Sequence, residues 1–156
     1  MDDNARRQRM EATIRTYFDG CNESDGDKIR ACFAPDAVHY FPAGSPFGAF
    51  VGVDAIVAGW ADCVDRLGSV WTIDRIAIDT AQGEAVIEWT HFKPARGGYL
   101  RGDEWYRFDD DFRITEIRAY YACPTLEAVA VHELGAYDYA GQGYPMSPPA
   151  VTRRRS

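Results

Sequence analysis

Three histidines, His39, His91 and His132, are the side chains of this sequence whose ordinary titration falls near neutral pH. His91 lies in an aromatic run, Trp89-Thr90-His91-Phe92, and Glu104 lies in another, Asp103-Glu104-Trp105-Tyr106. Side chains two apart on a strand share a face. If Glu104 faces inward, so do Gly102 and Tyr106, while Asp103, Trp105 and Arg107 face outward. A hairpin around residues 95–98 then makes Trp89 and His91 same-face neighbours across the ladder. A histidine beside a carboxylate is an acid–base pair, because imidazole gains and loses a proton near neutrality and the carboxylate can orient it. A slip of one residue would turn His91 to the other face. His39 shares its parity with Phe41 and is the second candidate base. His132-Glu133 has Ala136, not histidine, four residues on, so it does not make a zinc helix.

The other chemistry-bearing residues form no recognisable constellation. The four cysteines, Cys21, Cys32, Cys63 and Cys123, are widely spaced and contain no C-x-x-C pair. Asp109-Asp110-Asp111 lacks calcium-loop spacing and reads as a solvated turn. Asp25 suits a turn better than a catalytic post. No glycine pattern cradles a phosphate, and no Ser–His–Asp motif is present. The sequence implies no metal and no cofactor.

These residues must be held by ordered elements, and the periodicity supplies them. Residues 3–21 repeat Met10, Ile14, Tyr17, Phe18 and Cys21 at helical spacing, ending in a polar turn. A short helix over 27–33 follows, then a strand over 37–41. Residues 42–52 are rich in Gly and Pro and carry Phe47 and Phe50, which reads as a loop over a pocket mouth. A third helix spans 53–67, with Ile56, Trp60 and Val64 on one side. Four strand-like runs follow, at 70–79, 84–93, 99–108 and 112–121, separated by breaks short enough for antiparallel hairpins. Residues 126–134 read as a short helix. The tail beyond, with Tyr137, Tyr139 and Tyr144, is too apolar for a free linker, although its end at Arg153-Arg154-Arg155 reads as a free basic terminus.

The bulk numbers exclude several classes. At 156 residues, with 46% hydrophobic residues, the chain suits one domain with a real core. A formal charge of −7 argues against nucleic acid as partner. No run reaches transmembrane length, so no membrane role is expected. No signal-like stretch opens the chain, so a cytoplasmic location with reduced thiols is expected.

Residues 17–37, the helix start at 52–60, and Arg107-Phe108-Asp109 through Arg113-Ile114 to Arg118-Ala119-Tyr120-Tyr121 resemble ketosteroid isomerase-like proteins of the nuclear transport factor 2-like superfamily. That superfamily also holds SnoaL-like cyclases and limonene epoxide hydrolase-like enzymes. The resemblance covers residues 8–122. It implies an α+β fold in which three helices cover one face of a curved, cone-shaped, mixed or antiparallel sheet, here a domain of residues 1–123 with a tail at 124–156. It also implies roles. Tyr17 falls where the isomerases place an oxyanion-hole tyrosine, and Glu104 where they place a neutral, hydrogen-bond-donating aspartic acid. Phe41 replaces their proton-shuttling aspartate, and Trp60 a supporting tyrosine, so ordinary steroid double-bond isomerisation is not expected. The expectation is an isomerase or dehydratase-type lyase in which Tyr17 and Glu104 stabilise negative charge and His91, or else His39, moves the proton. Phe41, Trp60, Trp89, Tyr106 and Tyr121 would line a pocket for a largely apolar, even cyclic, small molecule. The alternative is a non-catalytic ligand-binding or dimerisation module of the same fold. In either case the resemblance implies a homodimer through the open sheet face carrying Trp105.

Overall fold

The computed structural model describes residues 1–42, 45–121, 140–141 and 143–154. Helix α1 (Asp3–Glu23) starts where the Asp2 carboxylate accepts the Ala5 N–H at 2.7 Å, satisfying one of the donors a helix start leaves free. Its stripe of Met10, Ile14, Tyr17, Phe18 and Cys21 is buried. Asp25 caps α2 (Gly26–Cys32) by accepting the Lys28 N–H at 3.0 Å, in keeping with its reading as a turn residue. Helix α3 (Val53–Leu67) buries Ile56, Trp60, Cys63, Val64 and Leu67 and ends on Gly68, whose φ of 64° is the left-handed stop that glycine adopts without strain.

The strands are β1 (Phe33–Tyr40), β2 (Ala49–Val51), β3 (Val70–Asp79), β4 (Glu84–Phe92), β5 (Tyr99–Phe108) and β6 (Ile114–Tyr120). They form one open six-stranded sheet in the order β2-β1-β6-β5-β4-β3. β3 to β6 make the expected antiparallel meander, and β1 joins it in parallel beside β6. This is the expected α+β architecture, with three helices packed on a mixed sheet. Two local readings change. The break between the helix expected at 27–33 and the strand expected at 37–41 is instead a bulge inside β1: the five steps from Phe33 to Val38 run alongside the two from Ile114 to Glu116. The loop at 42–52 contains β2, an antiparallel partner for the free edge of β1.

The inner face of the sheet meets the helices in one core, joined by Phe41, Phe47 and Phe50 from the segment around β2. A methyl group at Gly59 would overlap the Phe50 ring, so the missing side chain is what lets this aromatic cover seat on α3. The helix expected at 126–134, with His132, Cys123, Tyr137 and Tyr139, lies outside the described residues. The described tail returns across the outer face. Tyr144 donates to Glu88 and lies under the guanidinium of Arg75, and Pro145 accepts from Arg101 at 3.2 Å. Arg153, expected on a free end, instead donates to the carbonyls of Asn22, Gly68 and Ser69. No described helix is long and apolar enough to cross a membrane.

Candidate active site

The hub of the site is Glu104, in the middle of β5. Its backbone lies between Ile87 of β4 and Ala119 of β6, and its side chain rises from the inner face. Two residues on, Tyr106 shares that face and donates its hydroxyl to Glu104 Oε2 at 2.5 Å. Tyr106 is fully buried. Burial, and then the negative charge of Glu104, push its phenol well above the usual tyrosine range, so it stays protonated and remains a donor. A charge-assisted O–H bond of this kind holds a carboxylate in one orientation.

The second oxygen, Oε1, lies 3.5 Å from His39 Nε2. His39 reaches Glu104 from two strands away. It pairs with Ile117 of β6, whose same-face neighbour Ala119 is opposite Glu104. The small Ala119 leaves room above β6 for the two side chains to meet. His39 is wholly buried, stacked on Phe41 at 4.3 Å and edge-on to Trp60 at 5.2 Å. Neither of its ring nitrogens has a hydrogen bond among the described residues. Protonated, the ring completes an ion pair with Glu104; neutral, it offers an acceptor or a weak donor.

His91 does not meet Glu104. His91 lies on the inner face, as its parity predicts, but it pairs with Leu100, four residues along β5 from Glu104, roughly 13 Å of strand away. It stacks on Trp71 at 4.5 Å and lies 2.7 Å from Ser69 Oγ through Nε2. Ser69 commits its single hydroxyl proton to the Cys63 carbonyl at 3.0 Å, so His91 must be the donor in the contact between them. Burial, reinforced by the positive charge of Lys93, holds the His91 pKa well below its usual value. His91 is therefore a neutral, tied core residue, and the expected His91–Glu104 pair is replaced by His39–Glu104.

Tyr17, Phe18 and Cys21 of α1, Trp60 of α3, Trp71 of β3 and Glu104 enclose a small cavity, with room for about one water molecule. Tyr17 is buried, edge-on to Phe18 and Phe33. Its phenol is pushed well above the usual range by burial, then by the negative charges that Cys21 and Glu104 can carry. The Trp60 indole N–H lies near the Tyr17 oxygen and pulls the other way, yet stops short of hydrogen-bonding geometry. Burial also raises the Cys21 thiol well above its usual value, so it is not a ready thiolate.

Of the residues expected to line the pocket, Trp60 does so. Phe41 covers His39, and Tyr106 lies beneath Glu104. Trp89 and Tyr121 pack edge-to-face at 5.6 Å further along the inner face. Phe18, Cys21 and Trp71 are additional walls. Their signal was present in the sequence, since the first two belong to the apolar stripe of α1 and Trp71 shares the inward parity of Ile73. Among the described residues no group of three or more His, Cys, Asp or Glu is placed to hold a metal.

The comparisons agree with this architecture. Residues 14–117 match the family model described as SnoaL-like domain. A solved protein of unknown function with a cystatin-like fold from Methylobium petroleophilum PM1 is 52% identical, covering 96% of this chain and 97% of its own, with a TM-score of 0.73. A proposed polyketide cyclase from Sinorhizobium meliloti is 21% identical over 70% of this chain and 94% of its own, at a TM-score of 0.60. An epoxide hydrolase/cyclase-like enzyme of pyran ring formation in the polyether salinomycin is 15% identical over 74% and 92%, at 0.62. At such identities the last two show the fold alone. No functionally curated protein matches the chain.

Proposed function

Since the chain belongs to the SnoaL-like domain family, within which reaction is set by the site and not by the fold, we propose that it is a proton-transfer enzyme acting on a small, largely apolar molecule. The reaction class is isomerase or lyase, the latter of the dehydratase type. The observation that carries this reading is the Glu104 carboxylate at the cavity wall, gripped from behind by Tyr106 and His39. Glu104 is the acid–base that faces the substrate. His39 does not line the cavity, so it acts on Glu104, balancing its charge and exchanging a proton with it. Tyr17, kept protonated, faces the position where negative charge develops.

In the step envisaged, a Glu104 oxygen takes a proton from an activated carbon of the substrate. The C–H electron pair becomes a new C=C bond, and the charge moves to a heteroatom near Tyr17. The same carboxylic acid then returns the proton at another carbon, or delivers it to a departing hydroxyl as water. A molecule larger than one water needs this cavity to open, and we propose that the aromatic cover of Phe41, Phe47 and Phe50, packed together and on Trp60, is the part that moves.

The test is deuterium incorporation, followed by NMR, into a panel of cyclic compounds with activated C–H bonds. Glu104→Gln should lower protein-dependent exchange by about 10²–10⁴-fold, the usual worth of a positioned acid–base. His39→Gln should change the pH profile of exchange more than its maximum. Wild-type exchange in both variants would refute the assignment, and binding of the panel without any exchange would favour the non-catalytic module.

For assembly we propose a homodimer through the outer face of β5, β6, β1 and β2. Trp105, Tyr120, Tyr40 and Val51 are exposed there, beside the ion pairs Arg118–Glu116 and Arg107–Glu84. The tail around Tyr144 and Pro145 bounds this patch on its β4 side.

A further inference from the structure

On the outer face, strand register sorts the side chains into rows that run across the sheet. The middle row is Val86, Trp105, Arg118, Tyr40 and Ala49, each the direct partner of the next from β4 to β2. Its two large aromatic side chains are exposed, Trp105 by 39% and Tyr40 by 46%. Glu88, Asp103 and Tyr120 make the row on one side of it, and Glu84, Arg107 and Glu116 the row on the other. Asp103 and Arg107 therefore stand at equal distances from Trp105 along the outer face of β5, two residues to either side.

These two charges are provided for unequally. Arg107 is half-exposed and lies against Glu84 at 3.2 Å and Glu116 at 3.7 Å, with a guanidinium that has donors to spare. Asp103 has the like-charged Glu88 on one side in the ladder and Tyr120 on the other. Like charges directly opposite each other destabilise a sheet. Partial burial, then the negative charges of Glu88 and Glu104, raise its pKa above the ordinary carboxylate value. Among the described residues no ion pair relieves it, so the counter-ion has to come from another molecule.

A second copy carries one in the right place. A two-fold axis relating two stacked sheets lies in the plane between them. An axis along β5 would set each row on its own copy, with Asp103 against the partner's Asp103 and Arg107 against the partner's Arg107. An axis across the strands, along the middle row, lays β5 antiparallel on β5 and exchanges the flanking rows. Asp103 then faces the partner's Arg107, Tyr120 faces the partner's Glu116, and the exposed aromatic side chains of the middle row meet their own copies. Like-charge contacts across an interface are costly and opposite ones favourable, so the charge pattern selects the second arrangement. The like-charge meetings that it leaves are Glu88 with the partner's Glu84, and Arg118 with its own copy. All three side chains are already engaged within the chain, Glu88 by Tyr144, Glu84 by Arg107 and Arg118 by Glu116. Stacked sheets cross at about 30°, a rotation that keeps neighbours close to β5 in register.

We propose that two copies of this chain pair about a two-fold axis running along the row of Val86, Trp105, Arg118 and Tyr40, with Asp103 of each bonded to Arg107 of the partner subunit. This rests on the outer-face homodimer and gives it an orientation and a register.

Crosslinking reads that register directly. An Asp103→Cys protein and an Arg107→Cys protein, both also carrying Cys123→Ser, are mixed and treated with a short bismaleimide, and the linked peptides are identified by mass spectrometry. The mixed dimer brings the two new thiols together and keeps one native Asp103–Arg107 pair, so links between positions 103 and 107 should dominate. Links of 103 to 103 and of 107 to 107 would place the axis along β5; they would overturn this register and leave an outer-face dimer standing. A monomeric wild type in light scattering, or a dimer that links at neither position, would overturn both. Charge reversal gives a second reading. Asp103→Arg should weaken dimerisation about 100-fold or more, and adding Arg107→Asp should bring Kd back to within about tenfold of wild type, because the pair re-forms with its charges exchanged. An unchanged Kd in Asp103→Arg, or no recovery in a folded double variant, would overturn the proposal.

Discussion

Acidification should destabilise this fold through His91, and His91→Gln should abolish that effect. The ring is buried, stacked on Trp71, and donates through Nε2 to a serine whose own proton is committed elsewhere. A second ring proton would put a cation into this setting with Lys93 close enough to oppose it, so the folded state holds the pKa well below the ordinary value. The sign follows directly. Below about pH 6.5 the unfolded chain binds a proton that the folded chain refuses, so this contribution to stability is complete above that pH and shrinks as pH falls. Each unit below that point costs up to about 1.4 kcal/mol until the folded-state value is reached. Urea unfolding at pH 7.5 and 5.5 should therefore differ by up to about 1.4 kcal/mol more in wild type than in His91→Gln. With a urea slope of about 2 kcal/mol/M, that is a midpoint shift of about 0.7 M. Glutamine keeps a donor for Ser69 but cannot titrate. Identical pH slopes in the two proteins would refute the reasoning, and would return His91 to consideration as a group that gains and loses protons in the folded state.

Gly102→Ala should be destabilising by about 1–3 kcal/mol in urea or thermal unfolding, because its methyl group would collide with Trp89, the Tyr120 carbonyl and Tyr121; a neutral result would mean that Trp89 is free to move aside. Trp105→Glu is expected to convert a dimer to a monomer in size-exclusion chromatography with light scattering, and a wild type that is already monomeric at micromolar concentration would end the outer-face proposal. Arg153→Ala removes hydrogen bonds to three carbonyls at the corner of α1, α3 and β3. It should leave global unfolding within about 1–2 kcal/mol of wild type while making the segment 143–154 markedly more sensitive to limited proteolysis. Unchanged cleavage there would show that Arg153 does not secure the tail.

Local pattern made most of the fold legible. The helix at 53–67 and the strands at 70–79 and 99–108 coincide with α3, β3 and β5, because each shows a clear period bounded by glycine, proline or a polar turn. The inward face of β4 and β5 was legible for the same reason. What parity could not supply was position along the strand. The loop between β4 and β5 closes with Lys93 N–H donating to the Gly98 carbonyl at 2.9 Å, and from there the pairing runs Phe92 with Tyr99 and His91 with Leu100. Counting outward from that closure separates His91 from Glu104 by four residues. The His39–Glu104 meeting was harder to foresee. It depends on β1 entering the sheet in parallel beside β6, and nothing in the eight residues of β1 announces a partner about 80 positions away. Tyr106 and Trp60 were read as walls because their apolar bulk is what a sequence displays. The role of Tyr106 as a donor to Glu104 depends on where one O–H points.

The parallel pairing of β1 with β6 has a consequence for how the molecule is made. During synthesis α1, α2, β1, β2 and α3 emerge first, but the strand that joins them to the meander is the last of the sheet. Until Ile114 to Tyr120 has left the ribosome, His39 has no carboxylate to meet, and the apolar faces of three helices have only part of their cover. Closing so long a loop is entropically slow. Cys21, Cys32 and Cys63, all buried in the finished fold, should stay open to a thiol reagent on nascent chains stalled before β6 and become protected once it emerges. Protection on the shorter chains would show that the helices find an earlier shelter. Otherwise the site comes into existence in a single late event, and a chain able to hold its substrate is by the same step a chain that has finished folding.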